Sequence, residues 1–140
     1  MKMILFGGLV AALALGASAH ADDGEVGQAP PPAHFAAVSE LTPLPDFLPG
    51  MGRLFVDPAT LPAGPFLAYD REGALVSTIY MIPLSRLGPD AAGFDDLATP
   101  EADVDHVDVV YNAGHPGVDE PHAHVVLWHV SVAGEARVAE

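Results

Sequence analysis

The sequence predicts a mainly β protein: a single small antiparallel sandwich or partly closed barrel with a Pro-rich N-terminal arm. Two apolar runs, at 66–69 and 74–82, flank a four-residue connection that ends in Gly73 and is typical of a β-hairpin. Two later segments, at 104–111 and 122–132, are rich in β-branched and aromatic residues and show no helical period. The chain has 140 residues, which is the length of one domain.

The predicted strands differ in how they should be covered. The run 74–82 would carry large apolar residues on both faces, which predicts cover on both sides or a subunit contact. In 104–111, alternation places His106 and Asp108 on one face. The stretch 112–121 is rich in Gly and Pro, so it predicts a loop between the last two strands.

The first 21 residues have the three-part pattern of a secretory signal peptide. Lys2 supplies the positive start, residues 4–15 are an apolar run too short for a typical membrane span, and Ala19-x-Ala21 offers small residues for cleavage. We expect cleavage near Ala21 and a periplasmic or secreted protein that has no membrane anchor after cleavage. The predicted organisation is a signal peptide at 1–21, a Pro-rich acidic arm at 22–48 and a β domain at 49–140.

Composition excludes several classes of function. Nineteen Asp and Glu against five Lys and Arg give a formal net charge of -14, which repels phosphate backbones, so we expect no nucleic-acid partner. The chain has no cysteine, which excludes disulfides, thiolate nucleophiles and Cys-ligated zinc or iron–sulfur sites. Because 50% of the residues are hydrophobic, the chain can form a core.

Histidines are concentrated near the C-terminus, where five of the seven lie between positions 106 and 129. His122 and His124 stand two residues apart in a predicted strand, so they point to the same face with Cα atoms about 6.5–7 Å apart. Two imidazoles placed in this way can converge on one metal ion. The pattern also fits two strand residues without any ligand, and that interpretation stays open.

Residues of the preceding strand and loop are expected to complete a metal site. His106 and Asp108 share a strand face and His115 lies in the connecting loop, so all three come within reach if the strands pair. His129 is expected on the opposite face, outside the site. The predicted ligands are His106, His115, His122 and His124, with Asp108 and Glu120 as further ligands or as acceptors that fix an imidazole tautomer.

The predicted cofactor is one divalent transition metal. Nitrogen and oxygen donors fit Zn, Cu, Ni, Mn or Fe, and exclude a purely soft-metal site. The negative charge of the protein favours a cation and is expected to raise histidine pKa values, so protons should compete with the metal in acid. The sequence contains no GxSxG, HExxH, P-loop or GxGxxG pattern, and we assign no catalytic residue.

Several short motifs follow one another in an order that resembles a family of small exported bacterial β-proteins. The family signature is PGMGxHW…LPxGPxY…YMI…DHVDIxF…GHxG…PHYDxHxY, and the resemblance covers residues 49–128. It implies a fold and a site location, since no activity is attached to the family. The matching residues are Pro49-Gly50-Met51-Gly52, Leu61-Pro62-x-Gly64-Pro65, Tyr80-Met81-Ile82, Asp105-His106-Val107-Asp108, Gly114-His115 and Pro121-His122.

This chain departs from the signature at positions that bear on the site. The histidine that follows PGMG in the family is absent, because Arg53 stands there. In the PHxDxH part of the signature, His122 is kept, the aspartate is replaced by His124 and the last histidine by Val126. If the family cluster is a metal site, the resemblance implies an altered ligand set here.

Three functions remain open from the sequence. The first is a non-catalytic exported domain with a His-rich face that binds a divalent metal. The second is a metal-dependent enzyme, a hydrolase or oxygenase, which would need a concave pocket beside the histidines. The third is a structural or envelope-stress protein that self-assembles as a homo-oligomer, for which 74–82 is the segment expected to be exposed.

Overall fold

The structure, a computed structural model, describes residues 25–140. The predicted signal peptide and the first residues of the predicted arm lie outside this part of the chain. Between residues 25 and 140, no helix is long and apolar enough to cross a membrane.

The described chain forms one six-stranded sheet in which all neighbouring strands are antiparallel. The sheet does not close on itself, and its spatial order β1-β2-β3-β4-β6-β5 places the last strand between β4 and β5. The predicted mainly β, antiparallel fold is confirmed. The strands are β1 (Ala36–Ala37), β2 (Arg53–Val56), β3 (Phe66–Tyr69), β4 (Leu75–Pro83), β5 (His106–Asn112) and β6 (His122–Trp128).

Helical structure is limited to short segments. One four-residue α-helix, α1 (Val38–Leu41), follows β1, so the Pro-rich segment contributes both a strand and a helix to the fold. Three 3₁₀ segments cover Pro58–Thr60, Leu84–Arg86 and Val132–Val138.

The end of the last strand differs from the sequence prediction, which continued it to residue 132. The strand ends at Trp128, and Val132–Val138 is helical. Ser131 explains the change, because its hydroxyl accepts a hydrogen bond from the Gly134 amide at 3.2 Å and so caps the helical segment. Strand β2 was not predicted.

The core lies on one face of the sheet. Val56, Phe66, Ile79 and Trp128 pack there beneath Val38 of α1 and Val138 of the C-terminal helical segment. Burying these large apolar side chains contributes about 1.5–3 kcal/mol each. This face also carries the side chains of the candidate site.

The connector that follows β4 covers the other face. Its Leu87 and Phe94 share a cavity wall with Tyr80, and the Tyr80 hydroxyl donates to the Ala98 carbonyl at 2.6 Å. Positions 76–83 are therefore buried without interruption, which confirms the prediction that this strand is covered on both faces. The surface expected for self-assembly is thus not exposed. Large exposed apolar side chains lie instead on the edge strand β5, including Val109 at 70% and Tyr111 at 65% exposure, and a homo-oligomer stays a prediction.

One buried ion pair ties the C-terminal segment to the β3–β4 hairpin. Asp70 is 4% exposed, and its Oδ2 accepts from Nε of Arg137 at 2.8 Å and also from Nη2. Its other oxygen accepts from the Ala74 amide at 2.8 Å, which closes the hairpin. A buried carboxylate is tolerated only with partners of this kind.

We expect Arg137→Gln to lower the free energy of unfolding by about 1–3 kcal/mol, because Asp70 would be left buried without its cationic partner. Urea denaturation measures this change. Arg53→Gln is the matched control: its partner Asp46 is exposed, so the loss should stay below about 0.5 kcal/mol. Equal effects of the two substitutions would contradict the assignment of Asp70 as an anchor.

Candidate functional site

His122 and His124 lie at the start of β6, where both neighbouring strands are paired. His122 is opposite Asn112 of β5 and Pro83 of β4, and His124 is opposite Val110 and Met81. Residues directly opposite one another in an antiparallel pair share a face, so both imidazoles are on the core face of the sheet. His122 is completely buried.

His115 reaches the same place from the loop between β5 and β6. Its amide and carbonyl both bond to Val118, at 2.9 Å each, which forms a tight turn around Pro116 and Gly117. Gly117 has φ +94°, as the third position of a type II turn requires. A Cβ atom at Gly117 would lie 2.9 Å from the Thr42 side chain, so the turn packs closely on the residue after α1.

The three imidazoles form a compact group, the histidine triad His115, His122 and His124. Each offers a ring nitrogen, and these nitrogens all lie within 4.8 Å of one another. Nε2 of His122 and Nε2 of His124 are 3.0 Å apart. Two nitrogen ligands on a tetrahedral zinc ion at about 2.0–2.1 Å stand roughly 3.3–3.4 Å apart, so this pair is close to a chelating separation.

Backbone carbonyl groups orient two of the rings. Nδ1 of His122 is 2.8 Å from the Glu120 carbonyl oxygen, and Nδ1 of His115 is 3.1 Å from the Pro116 carbonyl oxygen. A carbonyl can only accept, so each Nδ1 carries the proton and each Nε2 keeps its lone pair. This is the tautomer that metal-binding histidines usually adopt.

The environment of His124 keeps its ring neutral. Burial and, to a smaller extent, charge repulsion from His122 and His115 lower the pKa of His124 to about 4. The sequence predicted the opposite shift from the net negative charge. Local desolvation outweighs that distant field at His124, because solvent screens surface charges.

His106 does not join the triad, which corrects the predicted set of four ligands. The register pairs His106 with Trp128, at the far end of β6. Four residues separate Trp128 from His124 along the strand, or roughly 13 Å at about 3.3 Å per residue. His106 is on the predicted face, but its distance from the triad excludes a shared ion.

His106 belongs to a second group, with Asp108 and Glu135, whose ligand atoms also lie within 4.8 Å of one another. Its Nδ1 is 2.9 Å from Asp105 and its Nε2 is 3.0 Å from Glu135. The hydrogen bond with Asp105 raises the pKa of His106, and Glu135 raises it further. Both ring nitrogens thus have carboxylate partners, which favours an ion-pair network that fastens the C-terminal segment to β5.

The remaining predicted residues have structural partners. Asp108 accepts from the Trp128 indole at 2.9 Å, at the far end of β6 from the triad. Glu120 contributes its backbone carbonyl to His122, while its carboxylate accepts from the Ser85 hydroxyl at 2.9 Å. His129 lies outside the triad as expected, with its ring nitrogens 2.8 Å from the Thr78 hydroxyl and 2.8 Å from the Asp103 carbonyl.

An apolar cavity of about 290 Å³ opens beside the triad. It lies between the core face of the sheet, α1 and the turn that carries His115. His115 and His124 both form part of its wall, together with Asn112. Sequence reasoning missed this cavity and also missed Glu135, since neither arises from a motif: both depend on which distant segments the fold brings together.

We expect the free energy of unfolding of metal-free protein to fall as the pH drops from about 6.5 toward 4. The folded-state pKa of His124 is below its ordinary value of 6.5, so the unfolded chain binds the proton more readily and acid favours unfolding. Urea denaturation at pH 7 and pH 4.5 should show about 1–2 kcal/mol more loss in the native protein than in His124→Gln. His34→Gln, at an exposed position, should behave as the native protein does. An equal pH dependence in His124→Gln would contradict the assignment.

Comparisons with known proteins place the chain in a family. A family model described as "TTHB210-like: Hypothetical protein TTHB210" matches residues 70–111. The crystal structure of hypothetical protein TTHB210 from Thermus thermophilus is 47% identical, with 69% of this chain and 88% of that chain covered and a TM-score of 0.60. No curated protein matches the chain. A resemblance to a small family without an assigned activity is thus supported, and this chain belongs to the TTHB210-like family.

Proposed function

We propose that this protein is an exported, non-catalytic domain that binds one divalent transition metal through His115, His122 and His124. The observation that carries the proposal is the convergence of three imidazole nitrogens within 4.8 Å. Backbone carbonyls orient His115 and His122 so that Nε2 is available to a metal. The lowered pKa of His124 keeps that ring neutral, as a ligand must be.

The donor set narrows the choice of metal. Three imidazole nitrogens suit Zn, Cu(II), Ni or Fe(II) better than Mn, which prefers oxygen ligands. Three protein ligands leave a further coordination position open in a tetrahedral site. The net charge of -14 attracts a cation over long range and disfavours nucleic acid as a partner.

Export is part of the proposal because of the N-terminal sequence pattern. The positive start, apolar run and Ala19-x-Ala21 support a periplasmic or secreted location. In such a compartment a site made only of histidines has one advantage over a cysteine site, since oxidation to disulfides does not affect it.

We expect zinc to raise the melting temperature of the protein, purified without a His tag, with uptake near one ion per chain by elemental analysis. Binding to the folded state alone stabilises by mass action, about 2.7 kcal/mol at a hundredfold excess over Kd. The variant His115→Gln/His124→Gln should lose the shift. It keeps the buried His122, so the sheet interior is not disrupted.

Two control variants separate the triad from other histidines. His34→Gln, exposed and remote, should keep the full zinc shift. His106→Gln should also keep it, since this histidine lies at the far end of β5. An unchanged shift in the double variant, or a shift lost in His106→Gln, would overturn the assignment of the triad.

A metal-dependent enzyme, a hydrolase or oxygenase, is the second candidate, and the cavity beside the triad favours it. An enzyme needs a concave pocket next to its metal. The cavity wall that the structure describes contains no carboxylate, however, so a general base other than histidine is not at hand. We therefore keep binding as the first proposal.

Hydrolysis of p-nitrophenyl acetate tests the second candidate. If the protein is a hydrolase, zinc-loaded protein should release nitrophenol at least about a hundredfold faster than His115→Gln/His124→Gln with the same zinc concentration, as one positioned catalytic group contributes about 10²–10⁴-fold. Equal rates for the two proteins would exclude metal-dependent esterase activity.

A further inference from the structure

We propose that the apolar cavity binds a small molecule with an uncharged apolar body and a metal-binding head, the head reaching the ion at the histidine triad. This inference rests on the proposed function, because the head requires a metal at His115, His122 and His124. It adds the chemical class of the ligand, which the triad alone does not define.

The cavity has the size of a small-molecule site. Its volume of about 290 Å³ is close to the lower limit of about 300 Å³ for ligand pockets. An apolar cavity of about 150 Å³ accepts benzene. A body of one aromatic ring or a short alkyl chain, with a few further atoms for the head, therefore fits.

The wall of the cavity determines the body of the ligand. It is formed mainly by aliphatic side chains, among them Leu41, Leu44, Leu61 and Met81. A charged or strongly hydrated body would lose its water here without gaining hydrogen bonds, which is costly. Apolar atoms gain about 25 cal/mol for each Å² that is removed from water.

The polar part of the wall determines where the head lies. Apart from Thr42, the polar side chains of the described wall are Asn112, His115 and His124, and two of these belong to the triad. The Thr42 hydroxyl is already engaged, since it donates to the Val38 carbonyl at 3.0 Å. A ligand with its body in the cavity thus meets the triad at the polar end, where an ion with three protein ligands has a position open.

Three probes separate the body from the head. Benzohydroxamate carries both a phenyl ring and a chelating head, acetohydroxamate carries the head alone, and toluene carries the ring alone. On zinc-loaded protein, calorimetry should give a Kd for benzohydroxamate at least about tenfold below that for acetohydroxamate, because only the former buries a ring. Elemental analysis after the titration checks that zinc stays bound.

Two surface-accessible leucines of the wall give a variant that changes the cavity without changing the triad. Leu41 is 44% exposed and Leu61 is 46% exposed, so Leu41→Gln/Leu61→Gln should fold normally. It should bind benzohydroxamate at least about tenfold more weakly and acetohydroxamate equally well. Leu87→Gln makes the same chemical change at a leucine that is 56% exposed and outside this cavity, and should have no effect.

The outcomes distinguish this inference from the proposed function. Zinc uptake with equal affinities for the two hydroxamates, or with benzohydroxamate binding unchanged in Leu41→Gln/Leu61→Gln, would overturn the inference and leave the metal site standing. Toluene binding to zinc-free protein, lost in the leucine variant, would support the cavity independently of the metal. If the protein takes up no zinc at all, the proposed function fails, and the head contact of this inference fails with it.

Discussion

The arrangement depends on the pairing of β6 with β4 on one side and β5 on the other. All seven residues of β6 have a partner on both sides, which places the first of them, His122, inside the sheet with no exposed surface. A buried imidazole has two nitrogens that need partners, and each one left unpaired would cost about 1–3 kcal/mol. The Glu120 carbonyl satisfies one and the His124 ring satisfies the other. Strand pairing thus dictates which nitrogen carries the proton and which ring lies beside it.

The third histidine is positioned by a different device, which the same register makes possible. The chain leaves β5 at Asn112 and enters β6 at His122, directly opposite, so the intervening loop must return to its starting point. Pro116 and Gly117 close this loop in a tight turn that leans on Thr42, and His115 is the first residue of that turn. Two ligands on a rigid strand and one on a fixed turn form a preorganised group, because few torsions remain to be frozen when a ligand binds.

Periodicity and turn chemistry were enough to predict the β3–β4 hairpin, the burial of β4 on both faces and the shared face of His122 and His124. They also placed His106 on the correct face. What failed was its position along the strand, because antiparallel strands joined by a loop set the start of one opposite the end of the other. The contact of Glu135 with His106, the Ser131 cap and the cavity depend on how segments pack, which no local pattern in one chain records.

The triad lies where polar and apolar surfaces meet, and both properties act on the same side chain. The Nε2–Nε2 hydrogen bond between His122 and His124 requires a proton on one of the two nitrogens, and the Glu120 carbonyl assigns that proton to His124. Metal binding requires both lone pairs, so the His124 proton must leave Nε2. Since burial keeps the pKa of His124 at about 4, the ring is neutral at pH 7 and a tautomer change meets this need without loss of a charge. The apolar surroundings that cause this desolvation belong to the cavity wall, so the feature that suits the ring to a metal also creates space for an apolar ligand beside it.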